Sequence, residues 1–426
     1  MQLDPRQQKD AVSPAFVKVW VAQTLSHLGD SIFLASAIWA ATLLYGSNFG
    51  TLGVGLALFV PAAVLLPFGG VIIDRYPRQP LLLATDVVRA VLTLALGLVM
   101  LRVEPAATTL LVTVAAVRIA GILFTPAMHT LLGEIARSDS MLLKLDSWML
   151  ASRMLAGIIG PLISGVVISV GLGIALLINS ATFVISCIAL YAGRHLLARP
   201  KAPTKPHEGL LVSAKAGASV AFGDRIFRTI APTLPTIDMV ASGLTLLLPT
   251  LLISRSETSA TSYGALISAW AIGRFGGLLL LRVPLIAHRR GVLLATNCFL
   301  QGLVICAISF SPSLEVTAAL FLCLGLPSGG ASVCVNTYIQ TEIPNEFRGR
   351  VFSLLQSLVA IAMPLGPLLG GALTSWADPS TAVLALGGLL VAIGIPPLLS
   401  SSVWRWKAPA NNRRQPATGG SKSTTG

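Results

Sequence analysis

The sequence predicts an all-α membrane protein of twelve transmembrane helices, arranged as two pseudo-symmetric six-helix bundles with both termini in the cytoplasm. Three observations predict it. The chain is 54% hydrophobic and 11% charged, with a mean hydropathy of +0.79, whereas a soluble domain carries about 25% charged residues. Its apolar runs recur along the whole length, each near the ~20 residues a helix needs to cross the hydrocarbon. Its cations gather in alternate loops.

The apolar runs cover residues 16–44, 49–73, 81–101, 106–132, 146–170, 172–193, 228–253, 263–281, 291–310, 314–338, 351–376 and 381–403. They are too long for the alternating strands of a membrane barrel. The N-tail, residues 1–15, is polar. The first run exceeds a signal-peptide core and carries Asp30, so it reads as a retained span. Gly69–Arg78 (GGVIIDRYPR) joins the second and third runs in a tight turn, which makes them antiparallel neighbours. The basic segment 194–227, containing RPKAPTKPHEG, separates a bundle at 16–193 from one at 228–404. It reads either as a flexible linker or as a helix lying on the membrane around Leu210–Phe222. The tail, residues 405–426, is polar and of low complexity, which predicts disorder.

Orientation follows from the cations. The N-tail, the even-to-odd loops and the C-tail, counted with Lys18 and Arg228 at the adjoining ends of their runs, hold 24 of the 30 Lys and Arg residues. Arg102 and Arg255 lie on the opposite side, and Arg89, Arg118, Arg153 and Arg274 lie inside spans. Cation-rich loops are cytoplasmic. The formal charge of +13 then belongs to the inner membrane face and its anionic lipids, not to nucleic acid. Cys187, Cys298, Cys306, Cys323 and Cys334 all fall in apolar runs without a CxxC pair, and read as packing residues rather than metal ligands or disulfides.

The halves overlay. Leu82–Asp86 (LLATD) matches Leu293–Asn297 (LLATN), Glu134-Ile135 matches Glu342-Ile343, Lys144 matches Arg350, and Gly160-Pro161 with Gly165 matches Gly366-Pro367 with Gly371. The same overlay pairs Asp30 with Asp238. Parallel repeats of six spans are a transporter architecture with the site between the halves.

Gly70-x-x-x-Asp74-Arg75-x-x-Arg78 and Gly157-x-x-Gly160-Pro161-x-x-x-Gly165 resemble the loop 2–3 and span-5 signatures of the major facilitator superfamily. Gln23, Ser26 and Leu28-Gly29-Asp30 in the first span, with Arg348–Ser353 before span 11, are similar to the branch of macrolide and enterobactin exporters. Two features depart from the pattern. The second-half copy of the loop has Gly277 and Arg282, but Leu281 stands at the acid position. Arg118-x-x-Gly121 is closer to the arginine motif of other drug–proton antiporters, without its glutamine. The resemblance implies alternating access in a monomer of the plasma membrane, with no cofactor.

The polar residues inside spans carry the chemistry. Gln23, His27 and Asp30 share one helix face. A charge at the bilayer centre costs about 2.5–3.5 kcal/mol on insertion scales and faces a cavity or a partner. Asp30 is therefore the expected proton-coupling acid, with His27 assisting or serving as its hydrogen-bond partner. Asp238 is expected as a second proton site, a contact for a cationic substrate, or the partner of Arg118. Arg118 beside an aspartate is a coupling device or a fixed ion pair. Arg153 and Arg274 lie on small-residue faces of spans 5 and 8 and read as interface contacts, with Asp146 as a candidate partner of Arg153. Pro232 and Pro235 are expected to loosen the seventh span.

No Ser/His/Asp set, phosphate loop or metal spacing points to an enzyme or an ATP-driven pump. The expected function is proton-coupled export of an amphipathic small molecule, apolar in body and cationic or zwitterionic. Uptake, or movement of a lipid or siderophore, fits the same fold. A non-transporting sensor fits less well, because it needs none of Asp30, Asp74 and Asp238.

Gly70, Asp74, Arg75 and Arg78 are expected to latch the cytoplasmic ends of the halves, with Asp74 at the start of span 11 and the arginines on loop acids such as Asp86. Asp74→Asn is then expected to slow substrate turnover in vesicles while equilibrium binding is retained; weak binding with normal turnover contradicts the latch.

Overall fold

The computed structural model describes residues 14–136, 138–193, 218–257, 259–283 and 289–407, without the side chains of 14–15, 47–49, 51, 66–75 and 139. The first half comprises α1 (Pro14–Tyr45), α2 (Ser47–Arg75), α3 (Arg78–Met100), α4 (Ala107–Ile122), α5 (Phe124–Ile135), α6 (Asp139–Val170) and α7 (Leu172–Ala192). The second comprises α8 (Arg225–Ile230), α9 (Thr233–Ser254), α10 (Ala260–Leu280), α11 (Arg290–Ser309), α12 (Leu314–Glu342), α13 (Arg348–Ala362), α14 (Leu365–Thr374), α15 (Pro379–Leu399) and α16 (Ser401–Arg405). The described part of the basic segment is helical over residues 218–223. The remainder of that segment and the tail beyond Lys407 lie outside the described residues.

Eleven helical segments among the described residues are long and apolar enough to cross a bilayer, and α2 adds the apolar stretch Leu52–Leu65. This is compatible with twelve crossings. Large apolar side chains such as Val112, Val166 and Ile188 point outward, an arrangement suited to lipid as the surrounding solvent. Proline explains the broken spans. Pro126 crowds the carbonyl of Ile122, where α4 ends, and Pro235 that of Ala231, in the turn between α8 and α9. Pro367 does the same at Met363, between α13 and α14. Side-chain caps start several helices: Ser138 accepts from the amide of Met141, Asp224 from Phe227 and Asp378 from Thr381.

The buried apolar residues divide unequally. One cluster joins both halves, from Phe33–Ala41 and Leu58 on one side to Leu244–Leu252, Tyr263 and Leu386 on the other. It occupies the end of the bundle away from the Lys/Arg-rich loops. At the cation-rich end each half has a separate cluster, one around Leu82, Met128 and Leu145 and one around Leu294, Tyr338 and Trp406. The halves are therefore fused at one end and splayed at the other.

The seam at the fused end is made by small residues. Gly165 packs on Ala260 and Thr261, Gly264 sits against the Pro161 carbonyl, and Ser268 Oγ donates to the Ile158 carbonyl at 2.7 Å. Trp39 of α1 and Tyr263 of α10 lie 5.7 Å apart between ring centres, both fully buried. On the other flank, Gly55 of α2 meets Pro367 of α14. Within the second half, Gly273 and Gly277 of α10 face Gly325 and Gly329 of α12, the close approach that small-xxx-small spacing permits.

The repeat is visible in packing. Gly160 of α6 abuts Ser31 of α1, and Gly366 of α14 abuts Met239 and Ser242 of α9. Each is the glycine of a Gly-Pro pair set against the first membrane span of its own half.

Gly264→Leu is expected to lower the thermal midpoint of the purified protein, by the roughly 1–3 kcal/mol that overpacking costs. Gly388→Leu is the control, because nothing lies within 4 Å of an added Cβ there. An unchanged midpoint for Gly264→Leu contradicts the tight α6–α10 seam.

Candidate functional site

Helix α3 places Asp86 and Arg89 one turn apart, facing into the first half. Asp86 is fully buried, and Arg89 exposes 6% of its side chain. Arg89 Nη2 donates to Asp86 Oδ1, and Ser186 Oγ of α7 donates to Asp86 Oδ2. Gln23 Nε2 of α1 donates in turn to Ser186 Oγ at 2.7 Å. The rings of Phe183 and Phe124 flank the guanidinium at 4.1 and 4.8 Å, adding cation–π attraction. Arg89 Nη1 reaches the other way, to Asp30 Oδ2 at 3.3 Å.

Asp30 exposes 39% of its side chain, so water reaches a carboxylate set in the middle of α1. It opens into a cavity of about 290 Å³ whose lining includes His27, Arg89, Arg118, Thr125 and Arg153. Arg118 donates its Nε–H to the Leu58 carbonyl of α2 at 3.3 Å, and the charges of Asp30 and Arg89 act on it. His27 lines the cavity without a hydrogen bond to Asp30 among the described residues. Its neighbouring charges are Arg153 and Arg89. Gln23 lies behind this wall, buried in the Asp86–Ser186 network.

A second cavity, of about 490 Å³, lies between the halves and shares Ser31, Leu34, Arg153 and Gly157 with the first. Its far wall holds Tyr263, Trp270 and Arg274 of α10 with Asn336 of α12. Arg153, Gly157 and Pro161 thus face space, while Gly160, Gly165 and the Pro161 carbonyl form the helix seams. Arg274 also lines this space, set over the Trp270 ring at 5.7 Å. Arg153 reaches its expected partner through a relay: its Nη2 lies 3.4 Å from His129 Nε2, and His129 Nδ1 lies 3.2 Å from Asp146 Oδ1.

Other expectations change. Asp238 does not pair with Arg118; the charge acting on it is Arg274. Asp86 is unavailable to the loop arginines, because burial commits it to Arg89 and Ser186. Arg78 instead pairs with Glu134 at 3.4 Å. The side chains of Gly70, Asp74 and Arg75 lie outside the described residues. Among the described residues no group of three or more His, Cys, Asp or Glu is placed to hold a metal.

A family model described as Major Facilitator Superfamily matches residues 19–367, with a further match over 288–425. The chain belongs to the Major Facilitator Superfamily. It is 28% identical over 397 residues to the multidrug efflux pump Tap of Mycobacterium tuberculosis, covering 90% of this chain and 92% of that one. It is 23% identical over 399 residues to macrolide efflux protein A of Streptococcus pyogenes, covering 89% and 94%. The fold is similar to that of a bacterial homologue of the lysosomal transporter Spinster, at a TM-score of 0.67 and 15% identity over 92% of this chain and 97% of that one. The nucleoside transporter NupG gives a TM-score of 0.68 at 12% identity, over 93% and 100%. This superfamily member is a multi-pass membrane protein of transporter type, not an enzyme.

Arg89, Ser186 and His129 were given no role by the sequence. The Asp86-x-x-Arg89 spacing is a readable one-turn pair. Ser186 and His129 carry no local signal, because only packing brings them in.

Arg89→Leu leaves Asp86 buried without its cation and is expected to destabilise the protein by about 3–5 kcal/mol. The double variant Asp86→Asn/Arg89→Leu should recover part of that loss. Thermal unfolding in detergent checks both; equal midpoints for wild type and Arg89→Leu contradict a buried ion pair.

Proposed function

We propose that this superfamily member exports amphipathic small molecules across the plasma membrane in exchange for protons, by alternating access. The observation that carries it is Asp30: a carboxylate in mid-span, open to a cavity, held by a guanidinium that keeps a second anchor. Intramembrane acids of this kind serve proton pathways. The relatives named for multidrug and macrolide efflux support the direction.

When Asp30 takes a proton, its attraction for Arg89 and Arg118 falls. Arg89 keeps Asp86, so no bare charge is left in the interior. The link from α1 to α3 and α4 loosens, while Arg118 remains tied to α2 through Leu58. Loss of the proton restores the link. Because α1 also carries Trp39 at the fused end, a shift of α1 reaches the seam with α10. The positive-inside rule puts the splayed end in the cytoplasm, so this conformation is the one that loads cytoplasmic substrate. The Asp74 loop would act in the opposite state, when the cytoplasmic ends of residues 16–193 and 228–404 meet. Asp238, beside Arg274, supplies a second acid near the central cavity.

In inverted vesicles, adding a transported compound is expected to release protons, and Asp30→Asn to abolish that signal. Asp30→Glu should keep part of it. An undiminished signal in Asp30→Asn removes this residue from the coupling.

A further inference from the structure

We propose that the substrate carries an anionic head, and that Arg153 and Arg274 bind it in the cavity between the halves. The inference rests on the transport reading, which makes that cavity the substrate's. Among the described residues, the charged side chains lining it are Arg153 of α6 and Arg274 of α10, one from each half, and no carboxylate lines it. Neither guanidinium has a carboxylate within ion-pair distance among the described residues. Arg153 faces an imidazole nitrogen at 3.4 Å, and Arg274 a Trp270 ring at 5.7 Å. The acids that interact with them through charge, Asp146 and Asp238, stand outside the lining. Asp146 is held by His129.

Two like charges across one cavity disfavour bringing its walls together. A carboxylate, sulfonate or phosphate between them reverses the sign of that interaction. Guanidinium pairs such oxygens with two parallel N–H donors. The bound anion therefore draws α6 and α10 together at the end where they are apart, so binding itself drives closure. The rest of the wall, including Leu34, Ile38, Tyr263 and Ile267, suits an apolar body. A cationic head would meet the two arginines first; Asp30, in the adjoining cavity, is already held by Arg89, and Asp146 and Asp238 stand outside the lining.

The test uses the full chain in phosphatidylcholine nanodiscs and three dyes: anilinonaphthalene sulfonate, the uncharged phenylnaphthylamine with the same rings, and cationic rhodamine 6G. The sulfonate is expected to bind about tenfold more tightly than its uncharged analogue, and only its affinity should fall with added salt. Arg153→Gln and Arg274→Gln should each weaken the sulfonate by about tenfold and the uncharged dye by less than about twofold. The lysine variants, which keep the charge without the bidentate fork, should bind the sulfonate with an affinity between wild type and the glutamine variants. Displacement of the sulfonate by phosphatidylglycerol in the disc identifies a lipid as the natural anion; no displacement identifies a soluble one. Equal wild-type affinity for the two naphthalene dyes, or a preference for rhodamine 6G, overturns the proposal, and the salt arm decides it should the glutamine variants fail to fold. With the same protein in proteoliposomes, sulfonate selectivity without proton-linked movement of the dye refutes the transport reading and leaves the anion site standing. Proton-linked movement of rhodamine 6G, unaffected by either glutamine variant, does the reverse.

Discussion

A guanidinium buried among helices must keep a carboxylate, and Arg89 has two of unequal kind. Asp86 is fully enclosed and fixed by Ser186; Asp30 opens to a cavity. On the proposed mechanism the first is a permanent anchor and the second is conditional on a proton. Because the permanent anchor remains, the conditional one can be released without leaving a bare charge in a medium of low dielectric. The aromatic flanks, the Gln23–Ser186 bond and the position of Arg118 are arranged around that one requirement.

The two halves share a backbone plan but not this chemistry. Where the first half has Asp86 and Arg89 in its third span, the second has Asn297 and Gln301 in its overlaid run, with Gln301 Nε2 donating to Asn297 Oδ1 at 2.9 Å. The overlay puts Asn297 at the place of Asp86 and Leu300 at that of Arg89, so the acid becomes an amide, the cation is lost, and the neighbouring Gln301 satisfies the amide instead. The loop signature shows the same loss, with Leu281 at the acid position. One half therefore carries the ionic network, and the other carries tight glycine packing of α10 on α12 and one wall of the central cavity.

Much of the fold was legible because lipid imposes a simple code: long apolar runs, cations on one face, and glycine where helices meet. The Gly160-Pro161 and Gly366-Pro367 pairs were read from the overlay alone and pack as equivalents. Asp30, His27 and Arg118 were found because any charge in a span is conspicuous. What stayed hidden is which charge meets which. Arg153 finds Asp146 through His129, twenty-four positions away along the chain. Asp86, read as a surface acid, is sealed by residues from α7. Such pairings depend on helix rotation and tilt, which no local pattern encodes. Nor did the sequence show that Arg153 and Arg274 line one space, since both sit on faces that also read as packing surfaces.

The central claim is that Asp30 itself gains and loses the coupling proton while Asp86 does not. Infrared difference spectroscopy of the reconstituted protein tests it most directly. Acidification in the absence of substrate should produce the carbonyl stretch of a protonated carboxyl, and substrate should remove it. The account predicts that this band is absent in Asp30→Asn and retained in Asp238→Asn. A band that persists unchanged in Asp30→Asn would contradict it.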